Sequence, residues 1–216
     1  MENTVSLKKR IIVLVVATIL LVGITFSSWL LVGLKNVWLV RGLSVLLNLS
    51  LGAVAFVAIK ITKVEIGFNP KNWWQYLFGV ALALTLSLFI AFIPAFCGSS
   101  IVGQHEDFDA VKLAWNAFNF FLIIGPVEEL IFRVYYQETF VGFFKKCKWI
   151  GVIIAAFLFG WWHLINGTLL QVAFTFGIGL CFGMLKYFVK KCQYLGLALG
   201  HGLYDFLNVI VRMFVI

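Results

Sequence analysis

Acidic residues and prolines are scarce in this chain of 216 residues. Asp and Glu together number 9, charged residues of both signs make up 12%, and there are 3 prolines. So few prolines leave long helices uninterrupted. With 62% hydrophobic residues and a mean hydropathy of +1.02, the composition excludes a soluble domain and defines an integral membrane protein. The apolar runs are continuous and do not alternate with polar residues, which excludes a membrane β-barrel.

Motifs that would indicate other chemistry are also missing. The 4 cysteines show no CxxC spacing, so neither a disulfide framework nor a zinc knuckle is expected. No Ser or Cys stands in the context of a catalytic nucleophile, and no HExxH is present. Any chemistry must therefore come from the few carboxylates and histidines.

We predict an all-α fold, a polytopic transmembrane helix bundle of about seven spans. Residues 1–109 hold spans one to three with their loops, and residues 110–216 form a second part with the later spans. The expected spans are approximately 11–33, 42–59, 73–95, 111 onward through the paired glutamates, 149–164, 168–189 and 194–216. Glycines four residues apart predict close helix contacts in the last two spans, at Gly179 and Gly183 and at Gly196 and Gly200.

The net charge of +8 does not indicate a nucleic-acid partner, because the basic residues cluster in short loops between apolar runs. That distribution indicates membrane orientation and attraction to anionic lipid headgroups. If the N-terminus is cytoplasmic, most of the Lys and Arg residues lie in cytoplasmic loops. Outside lie only Lys35, Arg41, Lys112 and Arg212. We therefore predict a multi-pass protein of the cell membrane with its N-terminus in the cytoplasm.

Residues 125–133 (GPVEELIFR) are the most unusual stretch of the chain. Two adjacent carboxylates, Glu128 and Glu129, and Arg133 stand in an otherwise apolar sequence. A charged residue at the bilayer centre costs roughly 2.5–3.5 kcal/mol on insertion scales, so intramembrane charges indicate function. On a helix Glu129 and Arg133 are i,i+4 neighbours that can pair, whereas Glu128 points about 100° away and is free for chemistry. Pro126 predicts a kink or a fresh helix start.

Two later spans carry the other strongly polar groups. His163 lies in span five, and His201 and Asp205 lie one turn apart on one face of span seven, with Asn208 near that face. Since none of these groups can face lipid cheaply, we expect them to converge with the glutamates in a shared polar site. The alternative is a buried ion-pair network that only joins helices.

Such a set of groups suits hydrolysis. A glutamate and a histidine together can polarise a water molecule for attack on a carbonyl carbon. Glu128, His163 and His201 also have the donor types of a zinc site, although nothing in their spacing demands a metal. Zinc-dependent and metal-free mechanisms both remain open.

The three polar stretches resemble the signature of the CAAX-protease and bacteriocin-processing (CPBP, or Abi) family of intramembrane proteases. That signature is EExxxR, then FxxxH, then HxxxN or HxxxD, on three successive helices. The resemblance covers approximately residues 110–210, and its motifs are Glu128–Glu129 with Arg133, Phe159 with His163, and His201 with Asp205.

The resemblance implies a glutamate-dependent endopeptidase, often labelled a metalloprotease. It assigns Glu128 as the base that activates water, with His163 beside that water. Glu129 and Arg133 would hold the first glutamate and its helix in place. His201 and Asp205 would face the developing oxyanion.

Two positions depart from the family pattern. Val134 replaces the usual glycine after the arginine, and Asp205 stands where Asn is common. An ionised aspartate cannot donate a hydrogen bond to an oxyanion. Three roles are therefore open for Asp205: it is protonated, it orients His201, or it serves as a ligand. Asn208 is the substitute hydrogen-bond donor to the oxyanion.

We thus predict an intramembrane endopeptidase that hydrolyses a peptide bond of a membrane-associated or peptide-precursor substrate. One alternative is a non-catalytic membrane partner protein, such as a bacteriocin immunity factor or a sensor-kinase regulator. Another is a proton-relaying transporter, which the missing internal repeat disfavours. The expected partners are the substrate and the lipid bilayer, and the sequence does not define an oligomeric state.

Overall fold

The computed structural model describes residues 5–165 and 167–216, and within these ranges it is helical, with no strand. Seven helices follow one another along the chain. Their bounds are α1 Leu7–Ser27, α2 Val37–Thr62, α3 Trp73–Phe96, α4 110–143, α5 Trp149–Trp162, α6 Leu169–Phe188 and α7 Tyr194–Phe214. The predicted all-α polytopic bundle is confirmed.

Five of the helices are long and apolar enough to cross a membrane. They are α1 with the 3₁₀ turn that continues it to Leu31, α2, α3, α6 and α7. The expected span at 149–164 is the shorter helix α5, which ends in a 3₁₀ turn over His163–Ile165. The expected span that begins near residue 111 is α4, a longer run of changing helix type. The protein is therefore a membrane protein. Two of the helices that carry its motifs, α4 and α5, are irregular.

Helix α4 alternates between α-helical and π-helical hydrogen bonding. The α-helical segments are Ala110–Asn119, Gly125–Glu129 and Glu138–Phe143, and the π-helical segments are Phe120–Ile124 and Leu130–Gln137. A fresh α-helical segment begins at Gly125, one residue before Pro126, and the kink expected there as the alternative stays a prediction. The π-helical segment Phe120–Ile124 ends just before it, and such a turn can absorb the irregularity left by the missing N–H of the proline, so the chain stays helical.

The chain divides into two compact units. The first contains the described residues up to Gly67 together with Leu130–Tyr187, and the second contains Phe68–Glu129 with Phe188–Ile216. The boundary inside α4 thus falls between Glu129 and Leu130. The predicted division at residues 109 and 110 stays a prediction.

Backbone-to-backbone contact between α3 and α7 forms the centre of the second unit. A Cβ atom added to Gly79 would overlap the carbonyl group of Gly196, and one added to Gly200 would lie 2.8 Å from the carbonyl carbon of Gly79. The buried side chain of Gln75 donates to the carbonyl of Asn69 and accepts from the Gly196 N–H at 3.2 Å. The close approach predicted from Gly196 and Gly200 is confirmed.

A second glycine contact joins α7 to the first part of α4. A Cβ atom on Gly125 would lie 2.8 Å from the carbonyl oxygen of Ala198, and one on Gly202 would lie 2.7 Å from that of Phe120. Because Gly202 directly follows His201, this contact brings the imidazole of α7 to the glutamates of α4.

In the first unit, α6 packs against α5 and the π-helical segment of α4 through two glycines. A Cβ atom on Gly179 would lie 2.7 Å from the ring of Phe159, and one on Gly183 would lie 2.9 Å from Val152. The buried side chain of Gln137 donates to the carbonyl of Gly183 at 3.0 Å. The close contacts predicted from Gly179 and Gly183 are therefore confirmed.

Candidate active site

The second unit brings four predicted site residues together around one imidazole. The Nδ1 atom of His201 lies 2.9 Å from Oε1 of Glu129. Its Nε2 atom lies 3.6 Å from Oε2 of Glu128 and 3.6 Å from Oδ2 of Asp205. Three carboxyl groups thus face one histidine, and two of them face the same nitrogen.

Exposure divides these carboxyl groups into an inner one and two outer ones. The side chain of Glu129 is 0% exposed and that of His201 is 4% exposed. The side chains of Glu128 and Asp205 are 17% and 23% exposed. Glu129 and His201 therefore form the closed base of the cluster, whereas Glu128 and Asp205 remain accessible to a water molecule or a substrate.

The partners of His201 define which nitrogen carries its proton. Because ionised Glu129 can only accept, the Nδ1–H group of His201 donates to it, and this assigns the tautomer. Nε2 is left facing Glu128 and Asp205 across 3.6 Å, a distance longer than a direct hydrogen bond.

Local sequence explains how the cluster is held. His201 and Asp205 are four residues apart in a regular α-helix, so both point to the same face. Glu128 and Glu129 end the short α-helical segment between the two π-helical ones. Tyr194, the first residue of α7, donates its hydroxyl to the carbonyl of Pro126 at 3.1 Å, which ties the two helices together two residues before Glu128.

The other predicted site residues lie in the first unit and form a set of their own. The Arg133 guanidinium is buried and lies 4.9 Å from the centre of the Phe159 ring. His163 places its Nδ1 atom 2.8 Å from the carbonyl oxygen of Phe159, and the two rings meet edge to face at 4.8 Å. A carbonyl only accepts, so His163 donates from Nδ1 and keeps an acceptor lone pair on Nε2.

The pairing of Glu129 with Arg133 stays a prediction. What the sequence reasoning missed is the hydrogen bond of Glu129 to His201, 72 residues away along the chain. Glu129 therefore orients an imidazole in addition to any effect on its own helix.

Three supporting residues were not singled out from the sequence. Gln75 and Tyr194 tie α7 to α3 and α4 in the second unit, and Lys186 binds both the Glu138 carboxylate and the Arg133 carbonyl in the first. A polar residue inside a span is the one signal that could have indicated Gln75 and Lys186. The Tyr194 contact leaves no sequence signal.

Within the described part of the chain, no three His, Cys, Asp or Glu side chains are grouped so that they could hold a metal ion. Glu128, His201 and Asp205 still offer donor types that zinc accepts. A zinc site at Glu128, His163 and His201, one of the two mechanisms that the sequence leaves open, stays a prediction.

One buried and two partly exposed carboxyl groups around a buried histidine define a membrane protein with a polar site of acid–base groups. Residues 110–207 match the Rce1-like family, described as type II CAAX prenyl endopeptidase Rce1-like. The match contains all three motifs, so the resemblance of this part of the chain to the CAAX-protease family is confirmed. At the level of the family, this supports a CAAX-type intramembrane endopeptidase. Neither a curated protein nor a solved structure gives a significant match.

Proposed function

We propose that this protein is an intramembrane endopeptidase in which Glu128 is the general base that activates water. The observation that carries the proposal is the cluster around His201, where an accessible carboxylate lies beside a buried, oriented imidazole. A carboxylate within reach of a water molecule can remove its proton as the water attacks a carbonyl carbon. The family match supports the same class of reaction.

The proton and the bonds can be followed through the proposed reaction. Glu128 accepts a proton from water, and the water oxygen forms a bond to the carbonyl carbon of the scissile peptide. Negative charge develops on the carbonyl oxygen, where donors stabilise it. When the C–N bond breaks, protonated Glu128 returns the proton to the leaving nitrogen.

The supporting roles follow from the contacts in each unit. Glu129 holds the Nδ1–H of His201 and so directs Nε2 towards the reacting groups. Asp205 lies at the same nitrogen and either shares a proton with it or orients it. His163 is proposed to hold the attacking water through Nε2, as the family resemblance implies, since its Nδ1 is engaged by Phe159.

The proposed substrate is a peptide that is itself attached to, or inserted in, the membrane. The name of the matched family refers to prenylated CAAX peptides, and a peptide precursor without a prenyl group is the other candidate. Cleavage of one peptide with and without a C-terminal prenyl group separates the two. Metal analysis of the purified protein, with chelation before the assay, separates zinc-dependent from metal-free hydrolysis.

The test of the proposal is a cleavage assay on the purified chain in proteoliposomes, with Glu128→Gln, His163→Ala and a matched control. Glu65→Gln serves as the control because Glu65 is an exposed carboxylate in the loop after α2. Loss of a positioned general base lowers rates by about 10²–10⁴-fold, so Glu128→Gln should lose at least that much. The control should keep wild-type activity. Full activity of Glu128→Gln would overturn the proposal.

A non-catalytic role is the second candidate, favoured by the two departures from the family pattern, Val134 and Asp205. A non-catalytic protein would bind its partner through the surface of the helix bundle and would not need the proton transfer by Glu128. In that case Glu128→Gln and His163→Ala leave the cellular phenotype unchanged, and no peptide is cleaved by the wild type.

A further inference from the structure

Lys186 is a partly buried cation that the proposed reaction does not use. It lies in the last turn of α6, and its side chain is 12% exposed. Its Nζ atom lies 2.6 Å from Oε1 of Glu138 and 2.6 Å from the carbonyl oxygen of Arg133. One ammonium group therefore joins α6 to two points on α4.

The two points are five residues apart, the span of one π-helical hydrogen bond, and Glu138 begins the α-helical segment that follows. Arg133 lies inside the π-helical segment Leu130–Gln137, and Glu138 is five residues further on. In a π-helix the carbonyl of residue i faces the N–H of residue i+5. Lys186 thus binds the carbonyl at the start of one wide turn and the side chain at its end, with charge-assisted hydrogen bonds that are stronger than neutral ones.

The face of α6 that carries Lys186 also fits this segment closely. Gly179, Gly183 and Lys186 follow the i, i+4, i+7 spacing of one helix face. A Cβ atom on Gly179 would lie 3.4 Å from Nη2 of Arg133 and 2.7 Å from the Phe159 ring. The backbone of Arg133 is held by the lysine, and its side chain lies against the glycine.

A series of contacts leads from Lys186 to His163. The Arg133 guanidinium lies 4.9 Å from the Phe159 ring, and the Phe159 carbonyl accepts from Nδ1 of His163 at 2.8 Å. All four residues lie in the first unit. A shift of the Arg133 backbone would move the guanidinium over the Phe159 ring, and the contacts of Phe159 with His163 would carry that shift to the imidazole.

We propose that Lys186 is a positioning residue, which fixes the backbone of Arg133 and thereby the orientation of His163. Its effect on the rate rests on the proposed function, because it assumes that His163 holds the attacking water. Its effect on the imidazole does not rest on that function and can be measured without a substrate.

The experiment uses ¹⁵N-histidine NMR of the full chain in detergent or nanodiscs. The chain has 3 histidines, so the signals of His163 are assigned by their loss in His163→Ala. Glu138→Gln removes the ion pair and leaves the contact of Lys186 with the Arg133 carbonyl. Adding Lys186→Met removes that contact too, without leaving a carboxylate unpaired, so the comparison of the double variant with Glu138→Gln measures the loss of the lysine ammonium, including its contact with the Arg133 carbonyl.

We expect Glu138→Gln to keep the wild-type ¹⁵N signals of His163 and the double variant to shift them, with those of His105 unchanged. The kcat of the double variant should fall by at least about tenfold with KM unchanged, because small misplacements of a catalytic group are costly. Lys112→Met is the control, since Lys112 makes an ion pair of the same 2.6 Å length with Glu106. It should change neither readout.

Unshifted signals of His163 in the double variant would overturn the inference. Shifted signals with an unchanged rate would support the positioning of His163 by Lys186 and contradict instead the catalytic role proposed for His163.

Discussion

Glu129 and His201 form a buried hydrogen-bonded pair in which Nδ1 of the imidazole lies 2.9 Å from Oε1 of the carboxylate. The two residues are 72 positions apart in the chain, and the glycine contact of α4 with α7 brings them together. A carboxylate that binds one nitrogen of a histidine fixes which nitrogen faces the reaction.

The first prediction concerns this pair. In Glu129→Gln the amide can present either its oxygen or its NH₂ group to Nδ1, so the tautomer of His201 is no longer fixed. The loss in kcat should be on the order of 10²–10⁴-fold, as for the loss of an orienting carboxylate in a hydrolase triad. Kinetics on the cleaved peptide measure it, with the thermal unfolding midpoint as the check on folding. A variant with unchanged kcat would show that Glu129 does not orient His201 for catalysis.

A second prediction separates charge from hydrogen bonding at Asp205. Asp205→Asn exchanges an acceptor for a side chain that can also donate, which suits an oxyanion, so activity should stay within about tenfold of wild type. Asp205→Leu provides neither function beside Nε2 of His201 and should lose at least about 10²-fold. Wild-type activity in both variants would mean that the side chain plays no part in the reaction. The same peptide assay measures both.

The third prediction concerns the contact between α3 and α7. Gly79→Ala places a methyl group against the Gly196 backbone, which cannot move aside without separating the helices. Overpacking of this kind typically costs about 1–3 kcal/mol, so the unfolding midpoint should fall clearly. Gly42→Ala is the control, because no atom lies within 4 Å of its added Cβ. An alanine there should be neutral or slightly stabilising. A wild-type midpoint for Gly79→Ala would contradict the close contact.

The fourth prediction is a pH dependence at the loop between α3 and α4. Glu106 lies 2.6 Å from Nζ of Lys112 and 2.9 Å from Nε of Arg212. The hydrogen bond from Lys112, together with the charge of Arg212, holds the pKa of Glu106 below its ordinary value of 4.5. A lowered pKa in the folded state stabilises the protein fully above the unfolded value, and this stabilisation is lost as the pH falls through the folded pKa.

The stability difference between wild type and Glu106→Gln should therefore be largest above pH 4.5 and shrink as the pH is lowered further. Thermal unfolding midpoints from about pH 3 to pH 7 measure it, with Glu65→Gln as the exposed carboxylate for comparison. A stability difference between wild type and Glu106→Gln that grows as the pH falls would contradict the lowered pKa of Glu106.

The helices and their closest contacts could be predicted from the sequence because both depend on local patterns. Continuous apolar runs mark the spans, glycines four residues apart mark close approach, and His201 with Asp205 share a face by simple spacing. These features need no knowledge of which helix packs against which.

The rest could not be predicted because it depends on partners far away in the chain. Glu129 was expected to interact with Arg133, its neighbour on the same helix, whereas its hydrogen bond to His201 arises only once α4 and α7 pack. The π-helical turns of α4 have no residue signature of their own, and the α6 face with Lys186 supports one of them only in the folded chain.

The π-helical segment Leu130–Gln137 makes α4 tolerant of a change in length at this point. A stretch with i→i+5 bonding accommodates more residues per turn than its α-helical flanks. Loss of a single residue there would let it relax to ordinary α-helix, while the later side chains of α4 would keep nearly the same direction. The same loss in an α-helical segment would turn them by about 100°, so single-residue gaps between aligned relatives should fall in this segment.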